Sequence, residues 1–249
     1  MPTSHTFTDP NQLTIGTFLG MGAPMAAEIA AVGGADWVLL DLEHGGGGED
    51  LIGPTVVAAM AYQIPALVRV ESLERIRIGR ALDAGASAVM IPRIQSAEQV
   101  REVVKHMSYP PFGDRGVATY NRSAKWGRDL SGLSTKAQAA CIIQIETLSA
   151  LSEIDEIAGI DGADILFVGP LDLSFALGVP REFDSPIFIE AITKVVTAAK
   201  LNNKVAGILA ADAVAAQKFI NLGFKFIAIG SDSTLLAGAI SGLITQLKK

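Results

Sequence analysis

The sequence predicts a single (β/α)8 barrel, and three observations point there. Short β-prone apolar runs alternate with longer helical stretches along the 249 residues, which is the pattern of a parallel α/β fold. Several runs are apolar at nearly every position, as expected of strands buried on both faces. Eight such units in a chain of this length fit a closed barrel; a doubly wound open sheet, the runner-up, more often stops near about five or six strands. No composition break or Ser/Pro linker marks a second domain, so residues 1–249 read as one unit with a polar tail over 1–12.

Strands are expected at 13–19, 37–42, 66–70, 88–91, 140–145, 165–168, 206–209 and 226–229. Helices are expected at 24–32, 51–62, 73–84, 97–107, 150–157, 187–202 and 212–222, and a last one at 234–247 closes the chain. The fifth strand follows the longest irregular stretch, 108–136. Gly33-Gly34-Ala35-Asp36, Gly85-Ala86-Ser87-Ala88, Gly162-Ala163-Asp164 and Gly223-Phe224-Lys225 fit helix C-caps turning into the next strand.

The fifth strand is the most informative, because Ala140-Cys141-Ile142-Ile143-Gln144-Ile145-Glu146-Thr147 is apolar until it ends in an amide and a carboxylate. Side chains alternate along a strand, so Gln144 and Glu146 share the face of Ile142 and carry polar groups toward a core. The sixth strand closes in the same way, at Gly169-Pro170-Leu171-Asp172. Two carboxylates at one end of two parallel neighbours make a metal-site geometry. The same rim collects Asp41, Glu43 and His44 from the second strand, Arg69 from the third, and Pro92 and Arg93 from the fourth. Strands seven and eight add Ala210-Ala211-Asp212 and Gly230-Ser231-Asp232. Active sites of such barrels lie at this end.

Composition excludes other classes. A formal net charge of −6, with no basic stripe carrying interleaved aromatics, argues against nucleic-acid binding. The single cysteine, Cys141, permits no intrachain disulfide, reads as a core residue and suits a reducing cytoplasm. The tail has neither the cationic start nor the apolar stretch of a signal peptide. No run reaches the roughly 18 apolar residues of a membrane span. Gly45-Gly46-Gly47-Gly48 lacks the Gly-Lys-Ser/Thr ending of a phosphate-binding loop.

Several spaced segments together carry a resemblance: Leu40-Asp41-Leu42-Glu43-His44-Gly45, Val68-Arg69-Val70, Leu82-Asp83-Ala84-Gly85-Ala86, Tyr109-Pro110-Pro111-Phe112-Gly113-Asp114-Arg115-Gly116, Gln144-Ile145-Glu146-Thr147 and Phe167-Val168-Gly169-Pro170-Leu171-Asp172-Leu173-Ser174. In this order, from about residue 14 to 236, the chain resembles the HpcH/HpaI family of class II pyruvate aldolases. The resemblance implies a metal-dependent (β/α)8 aldolase, typically a hexamer built as a trimer of dimers. Such an enzyme cleaves 4-hydroxy-2-oxo acids to pyruvate and an aldehyde through a metal-stabilised enolate. It also implies that the C-terminal helix, about 234–247, is exchanged between subunits.

Carried over by motif, Glu146 and Asp172 are the metal ligands, suited to Mg2+ or Mn2+, with Co2+ and Zn2+ as further candidates. Gln144 and Gly169, Pro170, Leu171 and Asp172 are the expected substrate contacts, the backbone amides near Gly169 cradling the pyruvate carboxylate. Arg69 binds the keto oxygen and stabilises the enolate. His44 or a metal-bound hydroxide takes the C4 hydroxyl proton, with Asp41 as the partner of His44. Asp83 matches an aspartate that reaches a neighbouring subunit's site. The stretch 113–127, with Arg115, Arg122 and Trp126, resembles the family's long active-site loop. Gly45–Gly48 departs from the Ala/Pro-containing loop of better-known members.

Simpler roles stand beside these. Glu146 can pair with a nearby Arg, Asp172 can cap a short turn, and Arg69 can bridge to Glu43. His44 can be merely hydrogen-bonded, and the arginines of 113–127 can be solvated surface charge. Two activities compete with aldol chemistry on the same site, oxaloacetate decarboxylation and acyl-CoA lyase action, although no basic groove for CoA is evident. The non-enzymatic alternative is a metabolite-binding relative, against which the intact Glu146, Asp172, Arg69 and His44 weigh. A Schiff-base mechanism is disfavoured, since Lys204 and Lys225 stand at strand beginnings.

Overall fold

Eight parallel strands close into a barrel in sequence order: β1 (Thr14–Leu19), β2 (Trp37–Asp41), β3 (Ala66–Arg69), β4 (Ala88–Ile91), β5 (Ala140–Ile145), β6 (Ile165–Val168), β7 (Val205–Ala210) and β8 (Phe226–Ser231). This computed structural model describes residues 6–134 and 139–248. Residues 1–5 of the expected tail, including His5, and residues 135–136 at the end of the expected irregular stretch lie outside the described residues. All eight expected strands form, each with bounds within two residues of the expectation. The closed order β1 to β8, with β1 pairing β8, excludes the open sheet.

The strands are apolar at almost every position because each has two buried faces. Trp37, Leu39, Leu67, Met90, Ile142, Phe167 and Phe226 fill the barrel interior. Trp37 stacks on Phe226 at 4.1 Å, and Phe7 packs on the same ring. Val38, Leu40, Val68, Cys141, Ile143 and Ile145 face outward into the layer beneath the helices. Burying one such side chain contributes about 1.5–3 kcal/mol, so the two layers together hold the scaffold rigid. Alternation then dictates what ends the inward rows: Asp41 follows Leu39, Arg69 follows Leu67, and Gln144 and Glu146 follow Ile142.

The helices are α1 (Met25–Val32), α2 (Ile52–Ala61), α3 (Arg75–Asp83), α4 (Ala97–Met107), α5 (Leu148–Ser152), α6 (Ile154–Ala158), α7 (Pro170–Ala176), α8 (Pro186–Leu201), α9 (Ala213–Leu222) and α10 (Asp232–Leu247). The Ser96, Thr147, Ser185 and Asp212 side chains cap the N-termini of α4, α5, α8 and α9. Gly34, Gly85, Gly162 and Gly223 all take left-handed φ in the helix-to-strand turns, as the recurring glycine motifs required. Two elements differ from expectation. The helix expected at 150–157 is split at Glu153 into α5 and α6, and α7 forms where no helix was expected, started by Pro170 at its first position. Helix α10 has no buried residue. Among the described residues, no helix is long and apolar enough to cross a membrane.

Candidate active site

Asp41 and Arg69 are register partners on β2 and β3, so their inward side chains meet at the C-terminal rim. Arg69 makes a two-pronged contact with Asp41, Nε to Oδ1 at 2.9 Å and Nη2 to Oδ2 at 2.6 Å. Its Nη1 lies 3.1 Å from Glu43 Oε2 and 3.5 Å from Gln144 Oε1, and its guanidinium sits over the Phe18 ring. Only 9% of Arg69 is exposed, and a charge so buried is tolerable only when paired in this way. Asp41 Oδ1 also accepts the amides of Glu43 and His44, which curls the strand end over the barrel mouth.

This arrangement corrects the expected partnership of Asp41 with the His44 ring. The Asp41 carboxylate is occupied by Arg69 and by two backbone amides, and the acid facing the ring is Glu43, with Oε2 3.8 Å from Nε2. The His44 side chain is 70% exposed and open to a ligand. Burial raises the pKa of Glu43, an effect that Arg69 and His44 oppose and that Asp41 and Asp172 reinforce. The Arg69–Glu43 bridge weighed as the simpler role for Arg69 is therefore present, alongside the Asp41 fork. Glu43 stands on the rim in the sequence pattern without a functional assignment, and it reaches Arg69 and the ring because residues 42–44 curl back past the end of β2.

On the opposite side of the mouth, Glu146 is 4% exposed and accepts the backbone amide of Arg93 at 2.7 Å. Its other oxygen accepts from the side-chain amide of Gln144. The guanidinium of Arg93 takes no part in this, so a simple Glu–Arg pair is not what holds Glu146. Burial pushes the Glu146 carboxyl upward; the two hydrogen bonds pull it down, and Asp172 and Glu43 push it up again. Asp172 is the third residue of α7, whose N-cap is Gly169 with no side-chain cap bond, so the capping role considered for Asp172 is not realised. The Gly169 amide is already donated to Ile145 O, and Pro170 has none, which leaves the first-turn amides of Leu171 and Asp172 without helical acceptors.

These residues fit a divalent cation. The negative charges of Asp172 and Glu43 both push the Glu146 carboxyl upward, and neither Glu146 nor Asp172 has an ion pair among the described residues. Gly169 leaves room for them: a Cβ there would lie 2.6 Å from Glu146 Oε2 and 2.9 Å from Gln144 Nε2. Among the described residues, no three His, Cys, Asp or Glu side chains converge on one point, so a divalent ion held here would have at most two carboxylates and would take its other ligands from water and substrate.

Asp83 and the 113–127 stretch lie elsewhere in this chain. Each helix returns antiparallel to its strand, so the end of α3 is at the barrel's other mouth. There Asp83 accepts from Arg115 Nη2 at 2.5 Å, and its carbonyl takes the amide of Arg122. Asp114 bonds to His106 and to the Lys105 carbonyl of α4, Arg115 lies over Tyr109, and Arg122 lies over Trp126. Within this chain the stretch flanks α3 and α4 and does not cover the carboxylates. Arg115, 8% exposed, is a structural ion-pair residue here and not solvated surface charge.

A sequence profile described as HpcH/HpaI aldolase/citrate lyase matches residues 14–239. The chain belongs to this family. It is 36% identical over 233 residues to a pyruvate aldolase of Rhizobium etli, covering 93% of this chain and 92% of that one. It is 35% identical over 244 residues to a 2-keto-3-deoxy-L-rhamnonate aldolase of Klebsiella pneumoniae, covering 94% and 88%. The crystal structure of an HpcH/HpaI aldolase/citrate lyase family protein from Burkholderia cenocepacia superposes with a TM-score of 0.92 at 32% identity, covering 98% and 97%. As an HpcH/HpaI aldolase the protein is a carbon–carbon lyase, and dependence on a divalent metal is typical of the family.

Proposed function

We propose that this HpcH/HpaI aldolase cleaves a 4-hydroxy-2-oxo acid reversibly to pyruvate and an aldehyde, with Mg2+ or Mn2+ held by Glu146 and Asp172. The observation that carries the reading is the division of charge across the barrel mouth. Arg69 is fixed by Asp41 and Glu43, while among the described residues Glu146 and Asp172 have no ion-pair partner. A divalent ion bound by those two carboxylates would supply electrophilic polarisation of the oxo acid's carbonyl. The chain's own groups do the rest. His44, exposed and backed by Glu43, takes the proton from the C4 hydroxyl. The C3–C4 bond then breaks, its electron pair forms the C2–C3 double bond of the enolate, and C4 leaves as the aldehyde carbonyl. The Arg69 guanidinium, held rigid by its Asp41 fork, stabilises the charge developing on the C2 oxygen. Protonation at C3 gives pyruvate. Gln144, between Arg69 and Glu146, sets the spacing of the two halves, and the Leu171 and Asp172 amides donate to the substrate carboxylate.

The acting unit on this reading is a cytoplasmic hexamer, a trimer of dimers in which α10 is exchanged between subunits. The support is the exposure of Leu236, Ile240, Leu243 and Ile244 along a helix with no buried residue. Asp83 then acts from a neighbouring subunit, because its own chain holds it away from the carboxylates.

The test is proton NMR of pyruvate methyl exchange in D2O, with Mn2+ or Mg2+ and then with chelator, on the protein and on Glu146→Ala. Metal-dependent exchange that is lost in the variant is the expected result. An unchanged methyl signal with metal demonstrably bound would overturn the pyruvate assignment.

A further inference from the structure

We infer that Arg93 is a positioning residue of the metal site and that it acts through its backbone amide, with the guanidinium dispensable. The inference rests on the reading of Glu146 as a metal ligand. Arg93 holds φ 55°, a left-handed conformation that a side chain disfavours. Gln63 and Asn203 share such a φ, but each follows a helix, where a left-handed residue is ordinary. Arg93 instead follows β4, at the rim that carries Glu146, and is exposed. Pro92 has no amide hydrogen, so Arg93 supplies the first N–H past β4, and that N–H donates to Glu146 Oε1 at 2.7 Å.

Both flanks of this turn are fixed. Ile91 belongs to the sheet, and Ile94 is fully buried, with its carbonyl accepting the Thr147 hydroxyl at 2.8 Å. Thr147 is the residue after Glu146, so the chain past β4 and the chain past β5 are latched twice, once in each direction. Further on, the Ala97 amide donates to Glu153 Oε2 at 2.7 Å. With the ends held, a change in φ of Arg93 must rotate the peptide plane between Pro92 and Arg93 and swing its N–H off Glu146; the surroundings over-determine the strained φ. The two donors to Glu146 are not equivalent. The Gln144 side-chain amide can turn over and present its carbonyl, whereas a backbone N–H only donates. The Arg93 amide is therefore the fixed reference that orients the Glu146 carboxylate, as outer partners of metal ligands do. Nothing in this geometry uses the guanidinium.

The test is Mn2+ affinity, measured by calorimetric titration, of the wild type, Arg93→Gly, Arg93→Ala, Arg93→Val and Glu146→Ala. Gly takes this φ freely and Ala tolerates it about as Arg does, so both are expected to bind Mn2+ within about threefold of wild type. A β-branched residue is a true outlier there, and Arg93→Val is expected to weaken binding by about ten- to a hundredfold. Loss of affinity in Arg93→Gly and Arg93→Ala would mean that the guanidinium acts, and would overturn the inference; so would wild-type affinity in Arg93→Val. A second measurement needs no Val variant. Hydrogen–deuterium exchange of the Arg93 amide in the metal-free protein, read by mass spectrometry with electron-transfer fragmentation, is expected to quicken by about tenfold or more in Glu146→Ala, and an unchanged rate would overturn the inference. Each of these failures leaves the metal-ligand reading standing so long as Glu146→Ala loses Mn2+. Absence of Mn2+ binding by the wild type, or undiminished binding by Glu146→Ala, would overturn both.

Discussion

Replacing Glu146 by Gln separates what this side chain does for the fold from what it does for a cation. The substitution keeps the volume and an acceptor for the Arg93 amide at 2.7 Å, and removes the charge. In the metal-free protein that charge is a burden: it is buried, no side-chain cation pairs with it among the described residues, and Asp172 and Glu43 repel it. Against this relief stands the contact with Gln144, where an acceptor becomes a donor facing a donor until the Gln144 amide turns over. One neutral hydrogen bond is worth roughly 0.5–1.5 kcal/mol. Metal-free stability should therefore change by no more than about 1 kcal/mol, or roughly 2–4 °C in Tm for a chain of this size. The metal-bound state is different. An ion at a hundred times its Kd stabilises by about 2.7 kcal/mol, a rise of roughly 5–10 °C in the wild type and little in Glu146→Gln. The pH dependence has a definite sign. The folded pKa of Glu146 lies above its ordinary value of 4.5, so its contribution to metal-free stability is fully present below 4.5 and is lost as pH rises through the raised value. Metal affinity gains over that same interval, because the ligand must be ionised. Scanning calorimetry with EDTA and with Mn2+, at two pH values spanning the interval, reads all of this. An equal metal-induced shift in the variant would refute Glu146 as a ligand.

Three further outcomes follow from the same geometry. Arg69→Ala strands the Asp41 and Glu43 carboxylates in a buried setting and should cost about 3–5 kcal/mol in urea unfolding; Arg69→Lys, which keeps the charge but not the fork, should cost less, and an Ala variant within about 1 kcal/mol of wild type would contradict the pairing. Gly169 has φ −84°, so Gly169→Ala is not opposed by backbone strain, yet its Cβ would push on Glu146 Oε2. The variant should fold and lose about a hundredfold in kcat/KM, and full activity would sink that account. Ile240→Asp with Ile244→Asp should reduce the assembly's mass in light scattering if α10 is seated in a second copy, whereas an unchanged oligomer would rule that seat out.

Much of the scaffold was legible in one dimension because a parallel barrel buries both faces of each strand, and eight apolar runs with polar endings are visible without knowing their neighbours. Asp41, Arg69, Gln144, Glu146 and Asp172 stood out because polar groups at the ends of buried strands have few inexpensive explanations. The glycine turns were readable too, since left-handed φ leaves a mark on residue type. Helix α7 was missed because seven residues carry too little periodicity to announce a helix.

Pairing was decided only in three dimensions. Whether Asp41 serves His44 or Arg69 depends on the register that sets Asp41 beside Arg69 across 28 positions of sequence, and on amides that curl residues 41–44 back onto the carboxylate. The Arg93 contribution to Glu146 is a backbone N–H, which no residue type reveals. The location of the 113–127 stretch follows from helices returning to the far mouth of the barrel, so that motif-bearing residues such as Asp83 and Arg115 close on each other there. The sequence by itself determined which strands form and which chemistry their ends carry, because burial acts on each residue separately. The tertiary structure decided which charge neutralises which, because electrostatic pairing is a property of distance between residues far apart in the chain.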